Sequence, residues 1–386
     1  MKRPQPITLI KSTLCKAGGL EKYTWQIARD FCALGHPVTL LTTHTNEAPF
    51  SDPLLHLVSL PVHHSLSLFN VLHFDRSCSA YLSQNPTPII FSLDRNRFQT
   101  HMRAGNGVHA AYLQHRARAE GCLKALSFTL NPLHRAILAL EKKAFEHPHL
   151  QCLFTNSEMV KQEVLQFYPA ANPSKICVVH NGVEWHEMQP AFDEWQTKRE
   201  QTARAWNLDP KAHQFLFIGH NFHRKGLDKL LRALSLIAHE HFQLCVIGKE
   251  KNLRHFQHLT QALHLSDKVF FLGPQPETTP FYQLADTLVI PSLYDPFANV
   301  TVEALAMGVF TLSSRHNGGH EVLTPHNGSV IPSLRDAAGF ALALREALSR
   351  PKTASSALAI RNSVQHLDFS HQIRRITQVT TQRPVY

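Results

Sequence analysis

Short apolar runs alternate with amphipathic helical patterns along two successive stretches of this chain, and that alternation restricts it to parallel-sheet architectures. In the first stretch the runs at 7–10, 37–42, 55–60, 88–91, 150–154 and 175–179 read as strands. Helical patterns follow several of them, notably at 21–34 and 158–167, the latter opened by Asn156-Ser157 at the cap position. In the second stretch, strands are expected at 214–218, 243–248, 269–272, 287–290 and 309–312. Strand-then-helix order requires crossover connections, hence parallel, doubly wound sheets. The polar segment 184–209 separates the two sets and reads as a linker carrying one helix. At 386 residues the chain is long enough for two such α/β domains.

The richest local signal is Pro291-Ser-Leu-Tyr-Asp-Pro-Phe-Ala-Asn-Val-Thr-Val-Glu-Ala-Leu-Ala-Met-Gly308. Asp295 falls in a turn after an apolar run, and Glu303, eight positions on, falls inside a helix expected to begin near Asn299. The N–H groups at that helix start, Asn299 and Val300 among them, suit a phosphate. A loop carboxylate can accept from sugar hydroxyls, and a helix carboxylate from ribose hydroxyls. Three further segments join it. Leu14-Cys-Lys-Ala-Gly-Gly-Leu-Glu-Lys-Tyr23 follows the first strand, with Gly18 and Gly19 letting backbone approach a diphosphate closely. Phe215-Leu-Phe-Ile-Gly-His-Asn-Phe-His-Arg-Lys-Gly226 brings Arg224 and Lys225 to the end of a strand, a fork and a point charge for a leaving diphosphate. Phe91-Ser-Leu-Asp-Arg-Asn-Arg-Phe98 leads to Arg103-Ala-Gly-Asn-Gly-Val-His109.

Together these segments resemble the retaining glycosyltransferases of family 4, whose fold is GT-B: two Rossmann-like doubly wound domains facing a central cleft. The acidic pair matches that family's acidic-x7-acidic motif, with Asp295 one methylene shorter than the usual Glu and Ala298 in place of a Gly. Gly18-Gly19 resembles its Gly-Gly-x-Glu loop, and Arg224-Lys225-Gly226 its Arg-Lys-Gly loop. The stretch through His109 is similar to lipopolysaccharide core glucosyltransferases, with Asn106 where relatives often carry Asp. The resemblance implies a nucleotide-sugar substrate, UDP-linked and glucose by default, held by Gly18, Gly19, Arg224, Lys225, Asp295, Asn299, Val300 and Glu303. It implies catalytic roles for Asp295, His109, Lys225 and Arg224, and acceptor contacts at Asp94, Arg103 and Asn106. It implies no metal and no cofactor: no Asp-x-Asp is present, and the two cations stand in for a divalent ion. The domains are then expected at 1–185 (acceptor) and 210–368 (nucleotide-sugar), with a linker at 186–209 and a tail helix, 369–386, crossing back to the first domain.

The formal charge of +10 is compatible with nucleic acid, an anionic membrane or an anionic substrate. Basic residues cluster between Arg95 and Lys143, interleaved with Leu123, Leu126, Phe128 and Leu130. Such a stretch reads either as a membrane-surface element or as a helix pair with a solvated basic face. The resemblance favours the membrane, since core glucosyltransferases work on lipid-linked acceptors at the inner leaflet. No apolar run reaches spanning length and no signal-peptide core is evident, so a peripheral protein on the cytoplasmic face of the inner membrane is expected, with no nucleic-acid partner. Seven scattered cysteines without a Cys-x-x-Cys pair fit buried thiols in a reducing compartment. His316-x3-His320 is set aside as a metal pair, because Asn317-Gly318-Gly319 makes a loop between them; the resemblance implies that Gly318, Gly319, His320 and Glu321 line the donor site instead. Two other readings stand beside the transferase. One is a GT-B nucleotide-sugar epimerase. The other is a non-enzymatic basic protein binding membrane or nucleic acid.

Overall fold

The structure, a computed structural model, describes residues 4–14, 19–43, 49–60, 62 and 66–382. Gly18 lies outside them. Two compact units divide the chain: residues 1–180 with 370–386, and residues 181–369.

The first unit is a seven-stranded sheet of β1 (Ile7–Ile10), β2 (Val38–Thr42), β3 (Leu55–Ser59), β4 (Ile89–Ser92), β5 (His101–Ala104), β6 (Cys152–Thr155) and β7 (Ile176–Val178). The spatial order is β3-β2-β1-β4-β5-β6-β7, and every adjacent pair is parallel. The chain starts mid-sheet, runs out to one edge, then returns past β1 to build the other half. That reversal between β1 and β4 leaves a crevice at their carboxyl ends, the place where doubly wound sheets hold ligands. All four residues of β1, of β5 and of β6 are buried, as strands covered on both faces must be. Of these, β5 was not expected from sequence, because His-Met-Arg-Ala lacks an apolar run.

The second unit is a six-stranded parallel sheet: β8 (His213–Ile218), β9 (Phe242–Ile247), β10 (Val269–Gly273), β11 (Thr287–Ile290), β12 (Phe310–Ser314) and β13 (Gly328–Ile331). Its order is β10-β9-β8-β11-β12-β13, with the same reversal between β8 and β11. Alternate strand residues feed opposite cores. Phe215, Phe217, Val246 and Val289 join one cluster, while Leu216, Cys245, Ile247 and Leu288 join another.

The segment 186–209, expected as a linker with one helix, is instead part of the second unit. It forms helices Gln189–Asp193 and Trp195–Ala205, which bury Phe192, Trp195 and Ala203 in the second cluster, joined there by Leu208 just after them. Its surplus of polar residues belongs to the outer helix face. The tail helix, Phe369–Gln382, groups with the first unit. There Ile373 and Ile376 are buried, and the Thr377 hydroxyl donates to Asp30 at 2.5 Å on the Gly19–Ala33 helix. The basic stretch is three helices rather than two: His109–Glu120, Cys122–Leu130 and Pro132–Phe145.

Candidate active site

In the second unit the two loops at the sheet reversal carry the charged residues. After β8, Asn221 turns the chain: its Oδ1 accepts from the Arg224 N–H at 3.1 Å, and its backbone carbonyl from the Lys225 N–H. Gly226 follows in the left-handed region at φ +78°, immediately before helix Leu227–Ser235. A Cβ there would stand 1.9 Å from the Pro291 carbonyl oxygen, so this position requires glycine both for its dihedral and for the close approach of the β11 loop. The Arg224 carbonyl accepts from the Leu293 N–H at 2.9 Å, which stitches the two loops together.

That stitching brings the three side chains into one cluster. Lys225 Nζ donates to Asp295 Oδ2 at 2.5 Å, and Arg224 Nη1 lies 3.6 Å from the same oxygen while donating to the Tyr294 carbonyl at 3.1 Å. The Lys225 and Asp295 side chains are only 12% and 11% exposed, so the pair interacts through a medium well below the dielectric of water. Two cations against one carboxylate leave a net positive charge, suited to an anion. Close by, helix Asn299–Ala306 begins with half-buried Asn299 and Val300, whose N–H groups precede the first helical carbonyl acceptors. The helix is clamped at both ends. Asn181 Nδ2 donates to Asn299 Oδ1 at 2.6 Å near its start, and the buried Arg361 guanidinium donates to the Ala306 carbonyl at its end, where the helix dipole favours a cation.

Glu303 sits in the second turn of that helix, and its Oε2 accepts from the Tyr282 hydroxyl at 2.7 Å. The loop after β12 closes the group. Asn317, fully buried, accepts from the Ala298 and Gly319 N–H groups through Oδ1, and donates through Nδ2 to the Thr301 and Ser313 hydroxyls. Asp295 is held in register with it by two backbone bonds, to the His316 carbonyl at 2.7 Å and from the Gly318 N–H at 3.0 Å. His316 and His320 therefore belong to a loop and a short 3₁₀ turn. Among the described residues no group of three or more His, Cys, Asp or Glu side chains is placed to hold a metal ion.

The first unit holds the remaining candidates. Gly19 opens helix Gly19–Ala33. Asp94, after β4, meets the end of β1 across the sheet reversal: Lys11 Nζ donates to Oδ1 at 2.9 Å, and the Ser12 N–H and hydroxyl donate to Oδ2 at 2.6 and 2.7 Å. Asn106 is exposed in the turn after β5. His109 begins the next helix, held there by the fully buried Glu141, which accepts from the His109 and Ala110 N–H groups. Arg95 balances that carboxylate with an Nε bond of 2.7 Å and also donates to the Gly107 carbonyl, while Tyr168 donates to Glu141 at 2.6 Å. Burial, with the nearby Arg95 cation, lowers His109 to about 4. It is neutral at pH 7 and can exchange a hydrogen bond, as it does with His134 Nδ1 at 3.1 Å, without presenting a cation. Arg103 lies within β5, 2% exposed, its guanidinium 3.7 Å above the Tyr23 ring.

Lys11, Ser12 and Glu141 in the first unit, and Tyr282 and Asn317 in the second, carry supporting contacts, and none was singled out as a site residue from sequence. Each is one polar residue with a partner far along the chain, which no local spacing signals.

Two Rossmann-like units in one chain, each with its ligand-type loops at the sheet reversal, define the GT-B class. The model described as "Glycosyltransferase Family 4" matches residues 17–186, and that described as "Glycosyl transferases group 1" matches residues 198–361. The chain belongs to this glycosyltransferase family. Among curated relatives, it is 30% identical over 174 residues to an uncharacterized glycosyltransferase of Methanocaldococcus jannaschii, covering 44% of each chain. It is 31% identical over 151 residues to the lipopolysaccharide core biosynthesis glycosyltransferase LpsD of Rhizobium meliloti, covering 39% of this chain and 43% of that one. The match thus spans somewhat under half the length of these relatives. Among solved structures, WaaG, a glycosyltransferase involved in lipopolysaccharide biosynthesis, superposes with a TM-score of 0.77 at 20% identity, covering 98% of this chain and all of the other. Anabaena HepE in complex with UDP and glucose superposes at 0.66 and 14% identity over 98% and 100%. At these identities the structural likeness speaks for the fold alone.

Proposed function

We propose that the chain is a retaining, metal-independent hexosyltransferase that moves a sugar, glucose by default, from a UDP-linked donor to a glycolipid such as a lipopolysaccharide core. The observation that carries this reading is the cluster of Arg224, Lys225 and Asp295 beside the start of helix Asn299–Ala306. Arg224 and Lys225 neutralise the leaving diphosphate, helped by the Asn299 and Val300 N–H groups. Asp295 orients Lys225 and accepts from hydroxyls of the transferred sugar. Glu303 accepts from the ribose hydroxyls. The acceptor oxygen bonds to the anomeric carbon on the face from which the phosphate departs, and its proton passes to a leaving phosphate oxygen, so the configuration is kept and no protein base is consumed. His109, neutral, supplies a hydrogen bond to sugar or acceptor, and Asp94 and Asn106 contact the acceptor. The UDP and glucose held by HepE and the lipopolysaccharide role named for LpsD and WaaG favour this donor and this acceptor class.

The two acids separate in experiment. Asp295→Ala is expected to lower turnover mainly, and Glu303→Ala to weaken UDP binding mainly, by roughly tenfold or more for a lost charge-assisted pair. Calorimetric UDP affinity and turnover, measured for both variants, check this. Loss of UDP affinity in Asp295→Ala with retention in Glu303→Ala reverses the roles.

A lipid-linked acceptor also calls for a membrane surface, which we place on the three basic helices of the first unit, at the inner face of the inner membrane. Among the described residues no helix is long and apolar enough to span. Exposed Lys124, Leu126 (57%), Leu130 (68%), Arg135, Lys142 and Lys143 support an interfacial role. Two residues expected there are turned inward: Phe128 is 8% exposed, and Arg116 stacks on its ring at 4.6 Å while pairing with Glu120 at 2.6 Å. The Leu123 side chain lies outside the described set. Binding to vesicles is expected to rise with anionic lipid, at about 1 kcal/mol per basic side chain, and to fall with salt. Reversing Lys124, Arg135 and Lys142 to Glu is expected to abolish the anionic preference and leave UDP binding intact. Unchanged vesicle binding in that variant contradicts the assignment.

A further inference from the structure

Tyr282 is 1% exposed on the short helix Thr279–Leu284, packed in the core cluster with Phe281, Leu284 and Ala304. Its ring has no freedom to leave that core, and its hydroxyl donates to Glu303 Oε2 at 2.7 Å across 21 residues of sequence. The backbone behind it is strapped as well. The Tyr282 carbonyl accepts from Nζ of the buried Lys352 at 3.0 Å. The Lys352 N–H donates to Asp286, which Arg199 grips through both guanidinium nitrogens at 2.9 and 2.8 Å. Glu303, by contrast, is half-buried on a helix surface, and a glutamate has three torsions to fix before it can bind a diol.

We propose that Tyr282 is a positioning residue for nucleotide recognition: its hydroxyl pins one oxygen of Glu303 and so orients the carboxylate toward the vicinal ribose hydroxyls of the donor nucleotide. The inference rests on the ribose role given to Glu303 above. Burial, and after it the neighbouring Glu303 carboxylate, hold the Tyr282 hydroxyl protonated well past its usual range, so that it stays a donor. A fixed donor at one oxygen narrows the torsions open to the carboxylate, so part of the ordering cost falls on folding and not on binding. Since the hydroxyl acts through Glu303, its loss is expected to act on ribose discrimination and not on the diphosphate.

The test compares UDP with 2′,3′-dideoxyuridine diphosphate by calorimetry in the wild type, Tyr282→Phe and Glu303→Ala, with melting temperatures recorded alongside. The wild type is expected to prefer UDP by roughly tenfold or more, the worth of a hydrogen bond to a charged group. Both variants are expected to bind the dideoxy compound as the wild type does, and to bring the preference to within about twofold of parity. A merely structural tyrosine would lower affinity for both nucleotides together and leave their ratio alone. If Glu303→Ala keeps the wild-type ratio, or the wild type has none, the ribose reading of Glu303 fails and this proposal with it. If Glu303→Ala loses the ratio while Tyr282→Phe keeps it, the ribose reading stands and the role of Tyr282 is overturned.

Discussion

Lys225→Ala is expected to lower turnover about a hundredfold, since one preorganised donor at a developing anion is worth on the order of 3 kcal/mol. Lys225 is nearly buried, its stem lies against Gly219, and Asp295 fixes its ammonium at 2.5 Å, so the charge is held in place ahead of any diphosphate and would need little reorganisation. Removing it leaves Asp295 facing Arg224 at 3.6 Å and cancels the net positive charge of the cluster. The side chain belongs to a loop and to neither core cluster, so the melting temperature is expected to stay near wild type. Lys225→Arg keeps the charge in a different shape and is expected to recover part of the loss. Turnover within a factor of about two of wild type in the alanine variant, far short of that magnitude, contradicts the diphosphate role.

Gly226→Ala is expected to disable the site through the backbone. A left-handed dihedral costs a non-glycine residue about 1–2 kcal/mol, and overpacking commonly costs about 1–3 kcal/mol more. Here the added carbon meets a carbonyl oxygen at 1.9 Å, and neither side yields easily. Helix Leu227–Ser235 is fixed by Leu227, Leu230, Leu231 and Leu234, all fully buried, and Pro291 ends a fully buried strand. The loops must separate, which breaks the Arg224–Leu293 backbone bond and pulls Lys225 from Asp295. At about 2–4 °C per kcal/mol for a unit of this size, calorimetry is expected to show the melting transition lowered by roughly 10 °C, with UDP binding lost. An alanine variant that melts and binds as wild type does contradicts the close approach of the two loops.

Both variants touch parts of the molecule that were readable from local pattern. The strand at 287–290 is long on apolar β-branched residues, and the structure returns it at the same bounds. Ser157 caps helix Glu158–Phe167 through a bond from the Val160 N–H, the arrangement its sequence announces. Asp295, Glu303, Arg224 and Lys225 each lie within a few residues of a strand end or helix start, so short-range spacing is enough to place them on those elements. Where legibility ended, long-range packing was the reason. Strand β5 carries His101 and Arg103 inside the sheet, so its sequence looks like a loop. Segment 186–209 shows many charges outward and hides Trp195 and Phe192 inward. Phe128 reads as a membrane contact in sequence, but it is buried with Arg116 stacked on its ring. Lys11 and Asp94 are 83 residues apart, and only the sheet order, with β1 beside β4, brings them together.

The central claim is that the second unit grips the diphosphate of a nucleotide-sugar between Arg224, Lys225 and the start of helix Asn299–Ala306. Calorimetric titration of the whole chain with UDP, GDP and ADP, repeated on an Arg224→Ala/Lys225→Ala variant that melts as wild type does, tests it most directly. The account predicts saturable binding of one diphosphate, UDP foremost, weakened more than about a hundredfold when both charge-assisted contacts are removed. Binding of none of the three by the wild type, or equal binding by the double variant, would contradict it.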